Sequence, residues 1–137
     1  MAAFKLTYFP FYGRAEAIRM LFVHAKADWI DEIIPVPEFA ARKAAGEFPN
    51  GQIPILAHKG RILNESVAIL RYVGKELGYY PADNLEAWYV DSLIDFVKDS
   101  IDKILPIVFG KRFDEAGLAE YSQVVIKFCA FYEKHLK

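Results

Sequence analysis

Phe48-Pro49-Asn50-Gly51-Gln52-Ile53-Pro54-Ile55-Leu56, followed shortly by Asn64-Glu65-Ser66, is the stretch whose reading decides the fold. A short apolar run, Ile53 to Ala57, leaves a cluster of turn formers, meets Lys59-Gly60, and is answered by a second run, Arg61 to Leu63. Two such runs joined through a glycine-bearing turn read as a β-hairpin. Pro54 has no N–H to give to a strand ladder, so it belongs at an edge, a bulge or a bend. A cis Ile53–Pro54 bond, at a cost of about 0.5–1 kcal/mol, would fold the chain back and turn the N–H and C=O of Ile53 outward. An extended peptide-like ligand could pair with those groups as an added strand does. An ordinary trans proline in a loop is the plainer reading of the same residues.

Outward from the hairpin, both flanks alternate in type. Phe4 to Tyr8 reads as a strand that enters a Pro10…Gly13 turn. Arg14 to Lys26 carries Ala15, Ile18, Leu21, Phe22 and Ala25 at helical spacing. Trp29 to Val36 is rich in branched and aromatic residues and reads as a second strand, stopped by two prolines. Glu38 to Ala45 is expected as a short helix ended by Gly46. Past the hairpin, Ser66 to Leu77 forms a helix with Val67, Leu70 and Val73 inward and Gly78 as its stop. The order β-α-β-α-β-β-α is that of a thioredoxin-like domain, which gives an α/β domain over residues 1–79.

Tyr79-Tyr80-Pro81-Ala82-Asp83 reads as a linker into an all-α part, residues 84–137, with two helices. The first runs from Asn84 to about Ile104, ended by Pro106 and Gly110; it is apolar at Leu85, Trp88, Tyr89, Leu93, Phe96, Ile101 and Ile104. The second runs from about Asp114 to Leu136. Its Leu118, Tyr121, Val124, Val125, Ile126, Phe128, Phe131 and Tyr132 cover more than one apolar stripe, so cover from further helices or another subunit is expected.

Composition narrows the function classes. Seventeen basic and eighteen acidic side chains among 137 residues, without a basic cluster, argue against nucleic-acid binding. A single cysteine, Cys129, excludes an intrachain disulfide framework and suits a reducing compartment. The N-terminus is too short and polar for a secretion signal, and no apolar run reaches membrane-span length. A cytoplasmic protein without a metal site is expected.

Ile53-Pro54-Ile55-Leu56, the hairpin, and Glu65-Ser66-Val67-Ala68-Ile69-Leu70-Arg71-Tyr72 together resemble the glutathione-binding half of the glutathione transferase family. Tyr8-Phe9-Pro10-Phe11-Tyr12-Gly13-Arg14-Ala15-Glu16 resembles that family's first strand-to-helix turn. The likeness is to sigma- and mu-like members, although Glu65 stands where those have glutamine and theta- or tau-like members are acidic. It implies glutathione as co-substrate, a small hydrophobic electrophile as acceptor, a role in detoxification, and a homodimer or a subunit of a larger assembly. The likeness also implies roles for individual residues. Tyr8 would donate its hydroxyl proton to the glutathione sulfur; otherwise it is a half-buried strand tyrosine, and Tyr12 is its local competitor. Ile53, before Pro54, would pair with the cysteinyl backbone. Glu65 and Ser66 would hold the γ-glutamyl end; as plain residues, Ser66 caps a helix and Glu65 suits its dipole. Lys43 and Gln52 would hold the glycyl end, or simply be solvated. Phe39 lies four residues before Lys43, where sigma-like members have tryptophan. Arg14 would support Tyr8 or the helix start. Asp91 resembles the aspartate that reaches a neighbour's ligand ammonium across a dimer, or belongs to a wet acidic face. The family's aromatic dimer anchor, where present, lies four residues before the proline; here that position is Asn50, with Phe48 two residues earlier.

Two further readings remain beside the enzyme. A non-catalytic transferase-like module with a structural or assembly role would keep the fold without the chemistry. A thiol–disulfide oxidoreductase on the same fold would need a cysteine near Tyr8, and the sequence has none there.

Overall fold

The computed structural model describes residues 3–110 and 114–135, in two compact units that meet between Asn84 and Leu85. In the first unit β1 (Phe4–Tyr8) is central, in a four-stranded sheet of order β2-β1-β3-β4. It runs parallel to β2 (Trp29–Ile33), with Phe4 opposite Trp29 and Tyr8 opposite Ile33. It runs antiparallel to β3 (Ile55–His58), with Leu6 opposite Leu56, and β3 pairs antiparallel with β4 (Arg61–Leu63). A parallel β1–β2 pair requires a crossover, and α1 (Glu16–His24) supplies it. The thioredoxin-like arrangement expected from the element order is the one observed.

Only Lys5 of β1 faces solvent, because both sides of the central strand are covered. The core gathers Leu6, Ile18, Phe22, Leu56, Ile69 and Val73, all essentially inaccessible. Ala15, Ile18 and Phe22 form the inward line of α1, as its periodicity predicts. On α3 (Ser66–Glu76) the inward residues are Ile69, Val73 and Gly74 with part of Leu70, whereas Val67 is only half-buried. The expected Val67–Leu70–Val73 line is therefore corrected by a small rotation of the helix. Contact with α1 and β3 together selects the 69/73 line.

Two prolines were expected to stop the second strand before a helix from Glu38. Instead β2 ends at Ile33, and α2 (Val36–Ala44) begins earlier, with Pro35 as its N-cap and Pro37 in its first turn. A first-turn proline lacks only an N–H that would have no intrahelical partner anyway. The strand β3 likewise starts at Ile55 rather than Ile53, after a cis Ile53–Pro54 bond.

The second unit holds α4 (Asn84–Phe109) and α5 (Glu115–His135). Pro106, expected to end α4, lies inside it, and its own carbonyl accepts the Gly110 N–H at 2.9 Å. So close to the C-terminal end, the proline removes a bond from the final turns without interrupting a long ladder. Asp114 Oδ1 accepts the Gly117 N–H at 2.8 Å and caps α5. Leu136, the expected last residue of this helix, lies outside the described residues. Phe96 of α4 stacks on Phe131 of α5 at 3.8 Å between centroids, and Tyr132 Oη donates to the Leu93 carbonyl at 2.8 Å. Leu85 and Trp88 on α4, and Leu118 and Ile126 on α5, stay exposed. No helix among the described residues is long and apolar enough to cross a membrane.

Candidate functional site

The end of β1 delivers Tyr8 to the turn before α1. Its carbonyl accepts the Ile34 N–H at 2.9 Å, which fixes the backbone, and its side chain is almost wholly buried. The Tyr8 hydroxyl accepts the backbone N–H of Arg14 at 3.3 Å. A hydroxyl that accepts one hydrogen bond keeps its proton to donate, and the accepted bond polarises it toward donation. Gly13 permits this approach, since a Cβ there would stand 3.2 Å from the Tyr8 oxygen and its φ of +107° suits glycine. Tyr12, the competing tyrosine, is 78% exposed on the turn.

The turn from Phe9 to Gly13 is tied down by a residue the sequence did not single out. The guanidinium of Arg19, on α1, donates to the carbonyls of Phe9 at 3.1 Å and Phe11 at 3.0 Å. It also pairs with Asp31 at 3.0 Å and Glu16 at 3.4 Å, and lies 5.6 Å from the centre of the Tyr8 ring. A planar fork of five donors can serve carbonyls and carboxylates at once, which a lysine cannot. The Arg14 side chain, expected in support of Tyr8, is half-buried, and it is its backbone that touches the hydroxyl.

Beside this turn, α2 and the loop before β3 meet through aromatic contacts. Phe39 packs against Phe9 at 5.2 Å and stacks on Phe48 at 5.4 Å, so it is part of the core wall as well as the fourth residue before Lys43. Phe48 is 4% exposed and sits under the Arg42 guanidinium; it serves this chain's own core. The Lys43 ammonium lies 5.8 Å from the Phe39 ring, and its stem crosses Gly51 so closely that a Cβ there would be 2.9 Å from Lys43 Cε. Gly51 has φ +60°, which a side chain would strain in any case. Gln52 follows it, exposed, and then buried Ile53, outside the residues paired in the β1–β3 ladder.

Glu65 immediately precedes α3 with φ 66° and ψ 104°, a conformation that costs a non-glycine residue of order 1–3 kcal/mol. Its carbonyl accepts the Ile69 N–H at 2.8 Å, and its carboxylate accepts Asn50 Nδ2 at 2.9 Å. Ser66 is the first residue of α3 rather than its cap, and no side chain caps that end. The capping reading of Ser66 is thereby corrected: the residue before it takes the cap position, and the N–H groups of the first turn point out of the helix.

Tyr8, Arg14, Phe39, Lys43, Gln52, Ile53, Pro54, Glu65 and Ser66 all belong to the first unit. Tyr8 ends β1 and Arg14 follows in the turn after it, Phe39 and Lys43 lie on α2, Gln52, Ile53 and Pro54 precede β3, and Glu65 and Ser66 stand at the start of α3. Asp91 does not: it lies on α4 in the second unit, half-buried. Cys129 is also in the second unit, so the first unit, which carries Tyr8, contains no thiol of its own. Among the described residues no group of His, Cys, Asp and Glu is arranged to hold a metal ion.

Known proteins share this arrangement. Residues 4–75 match the family model for the glutathione S-transferase N-terminal domain. Probable glutathione S-transferase 6 of Caenorhabditis elegans is 38% identical over 77% of this chain and 50% of its own length. Probable glutathione S-transferase 8 of the same organism is 35% identical over 98% of this chain and 64% of its own length. Among solved structures, monomeric Na-GST-3, a glutathione S-transferase of the hookworm Necator americanus, superposes with a TM-score of 0.81 at 34% identity, over 93% of this chain and 64% of that one. The chain thus spans between half and two thirds of the length of these relatives. The matched segment begins at the strand that carries Tyr8 and runs through the Ile53–Pro54 bend to the helix after Glu65, and this chain belongs to the glutathione S-transferase family.

Proposed function

We propose that this chain binds glutathione on its first unit and, through Tyr8, promotes attack of the thiolate on a small hydrophobic electrophile. The observation that carries the reading is the Tyr8 hydroxyl, which accepts the Arg14 N–H and retains its own proton for a sulfur. A thiol of pKa about 8.5 is only a few per cent thiolate at neutral pH, and each unit of lowering corresponds to about 1.4 kcal/mol. A hydrogen bond donated to the sulfur supplies lowering of that kind. The rest of the tripeptide finds complementary groups. Ile53 offers backbone outside the ladder, the uncapped start of α3 at Ser66 suits a carboxylate, Glu65 suits an ammonium, and Lys43 beside Gln52 suits the glycyl carboxylate.

In this reading Asp91 contributes to a neighbour's site within a homodimer or a larger assembly. The protein works in the reducing cytoplasm, in detoxification. The experiment is a comparison of Tyr8→Phe with the parent in an aryl-halide conjugation assay and in glutathione titrations. Turnover falls by at least about tenfold, the equivalent of one pKa unit, while glutathione affinity changes little. Equal turnover at neutral pH would remove Tyr8 from the mechanism. Binding without any turnover in the parent would favour the non-catalytic module.

A further inference from the structure

We infer that Asn50 is a positioning residue that aims the Glu65 carboxylate at the ammonium group of the bound peptide; the inference rests on the glutathione reading above. Asn50 and Glu65 come from different loops, 15 residues apart, and are joined by the bond from Asn50 Nδ2 to Glu65 Oε1 at 2.9 Å. Each partner is held from behind. The Gly51 N–H donates to the Phe48 carbonyl at 2.8 Å, which closes a turn with Pro49 and Asn50 at its centre. Phe48 anchors that turn in the core against Phe39 and beneath Arg42. At the other end Glu65 is fixed by its positive φ and by the bond from the Ile69 N–H to its carbonyl.

An exposed glutamate ordinarily samples many rotamers, and a ligand that needs one of them must bear the ordering cost. The amide of Asn50 removes part of that cost before the ligand arrives. A carboxylate has about four acceptor sites, so one taken by the amide leaves others for an ammonium. The sequence pattern fits this assignment. The family likeness puts an aromatic dimer anchor, where there is one, at the position of Asn50, and here the nearest aromatic, Phe48, is committed to the chain's own core. Residue 50 is turned to a task within the subunit.

The test uses two ligands on the full chain: glutathione, and its des-amino analogue in which a glutaryl group replaces γ-glutamyl. Calorimetric titration of the parent, Asn50→Ala, Glu65→Ala and the double variant separates the alternatives. Asn50→Ala is expected to weaken glutathione by about three- to tenfold, the worth of one hydrogen bond, and to leave the analogue unchanged. On a Glu65→Ala background, Asn50→Ala should cause no further loss. Affinity of Asn50→Ala equal to the parent, or an equal loss for both ligands, overturns the proposal, the latter showing a merely structural role. If Glu65→Ala abolishes the preference for glutathione and Asn50→Ala leaves that preference unchanged, the positioning role fails while the glutathione reading stands. A parent that binds neither ligand overturns both.

Discussion

His58 shows how much one side chain in this fold can depend on its surroundings. It lies on β3, 8% exposed, stacked on Phe4 at 4.0 Å, with Nδ1 at 2.8 Å from the Tyr72 hydroxyl. Burial pushes its pKa below the ordinary 6.5, and the neighbouring Lys59 ammonium adds to this, with Glu76 acting in the opposite direction. The sign follows. Above pH 6.5 the ring is neutral whether the chain is folded or not, and it costs nothing. Below that, the unfolded chain takes up the proton first, so stability falls as the pH drops from 6.5 toward the folded value. Urea midpoints measured between neutral and mildly acidic pH should decline, and His58→Phe should flatten that part of the curve whatever its absolute stability. An unchanged slope in the variant would clear His58 of the effect. Gly51 makes the same point about backbone. Its left-handed φ and the Lys43 stem lying across it leave room for no other residue without strain.

At the scale of elements, what periodicity and turn chemistry specify was legible, and what tertiary contact decides was not. The hairpin could be read because the Lys59-Gly60 turn acts locally, whereas the cis bend at Pro54 could be read only through the family likeness of the residues around it, since a proline by itself reads as trans. The start of α2 lies two residues before the Glu38 that the pattern suggests, because Pro35 and Pro37 suit a strand stop and a helix entrance equally well and the chain uses them for the entrance. Pro106 carries the opposite ambiguity, since a proline near a helix end need not end it. Of the candidate site, Tyr8, Ile53, Glu65 and Ser66 could be picked out by likeness. Arg19 could not, since an arginine on a helix ordinarily signals a solvated face. Its partners are two backbone carbonyls and two carboxylates brought in from the turn, β2 and its own helix. The Glu16–Arg19 spacing was the sole local hint. Arg19→Lys should therefore lower stability by about 1–3 kcal/mol, since one ammonium cannot replace a fork that bonds charged and backbone acceptors together. A urea midpoint indistinguishable from the parent's would mean the turn after β1 holds itself.

At the scale of the whole molecule the two units differ in how well they bury their apolar side chains. The first leaves Met20, Val23, Val36 and Ile62 more than half exposed but keeps a broad buried core. The second fully buries Ile107 alone among the large apolar side chains of its described residues, and leaves Leu85, Trp88 and Phe109 on α4, and Leu118 and Ile126 on α5, at least half exposed. Burying one such side chain is worth about 1.5–3 kcal/mol, and a domain's net stability is only about 5–15 kcal/mol. A few of them therefore weigh as much as the margin. Sedimentation at micromolar concentration should show association, and a hydrophobic-surface dye should bind; a cooperative, dye-silent monomer would contradict this expectation. The central claim, that Tyr8 stabilises a glutathione thiolate, lies on the first unit and has a more direct test. Titration of the thiolate's ultraviolet absorbance in the glutathione complex reports the thiol pKa itself. The parent should bring it below the ordinary value of about 8.5 and Tyr8→Phe should return it there. Bound glutathione whose thiol titrates alike in parent and variant would contradict the account.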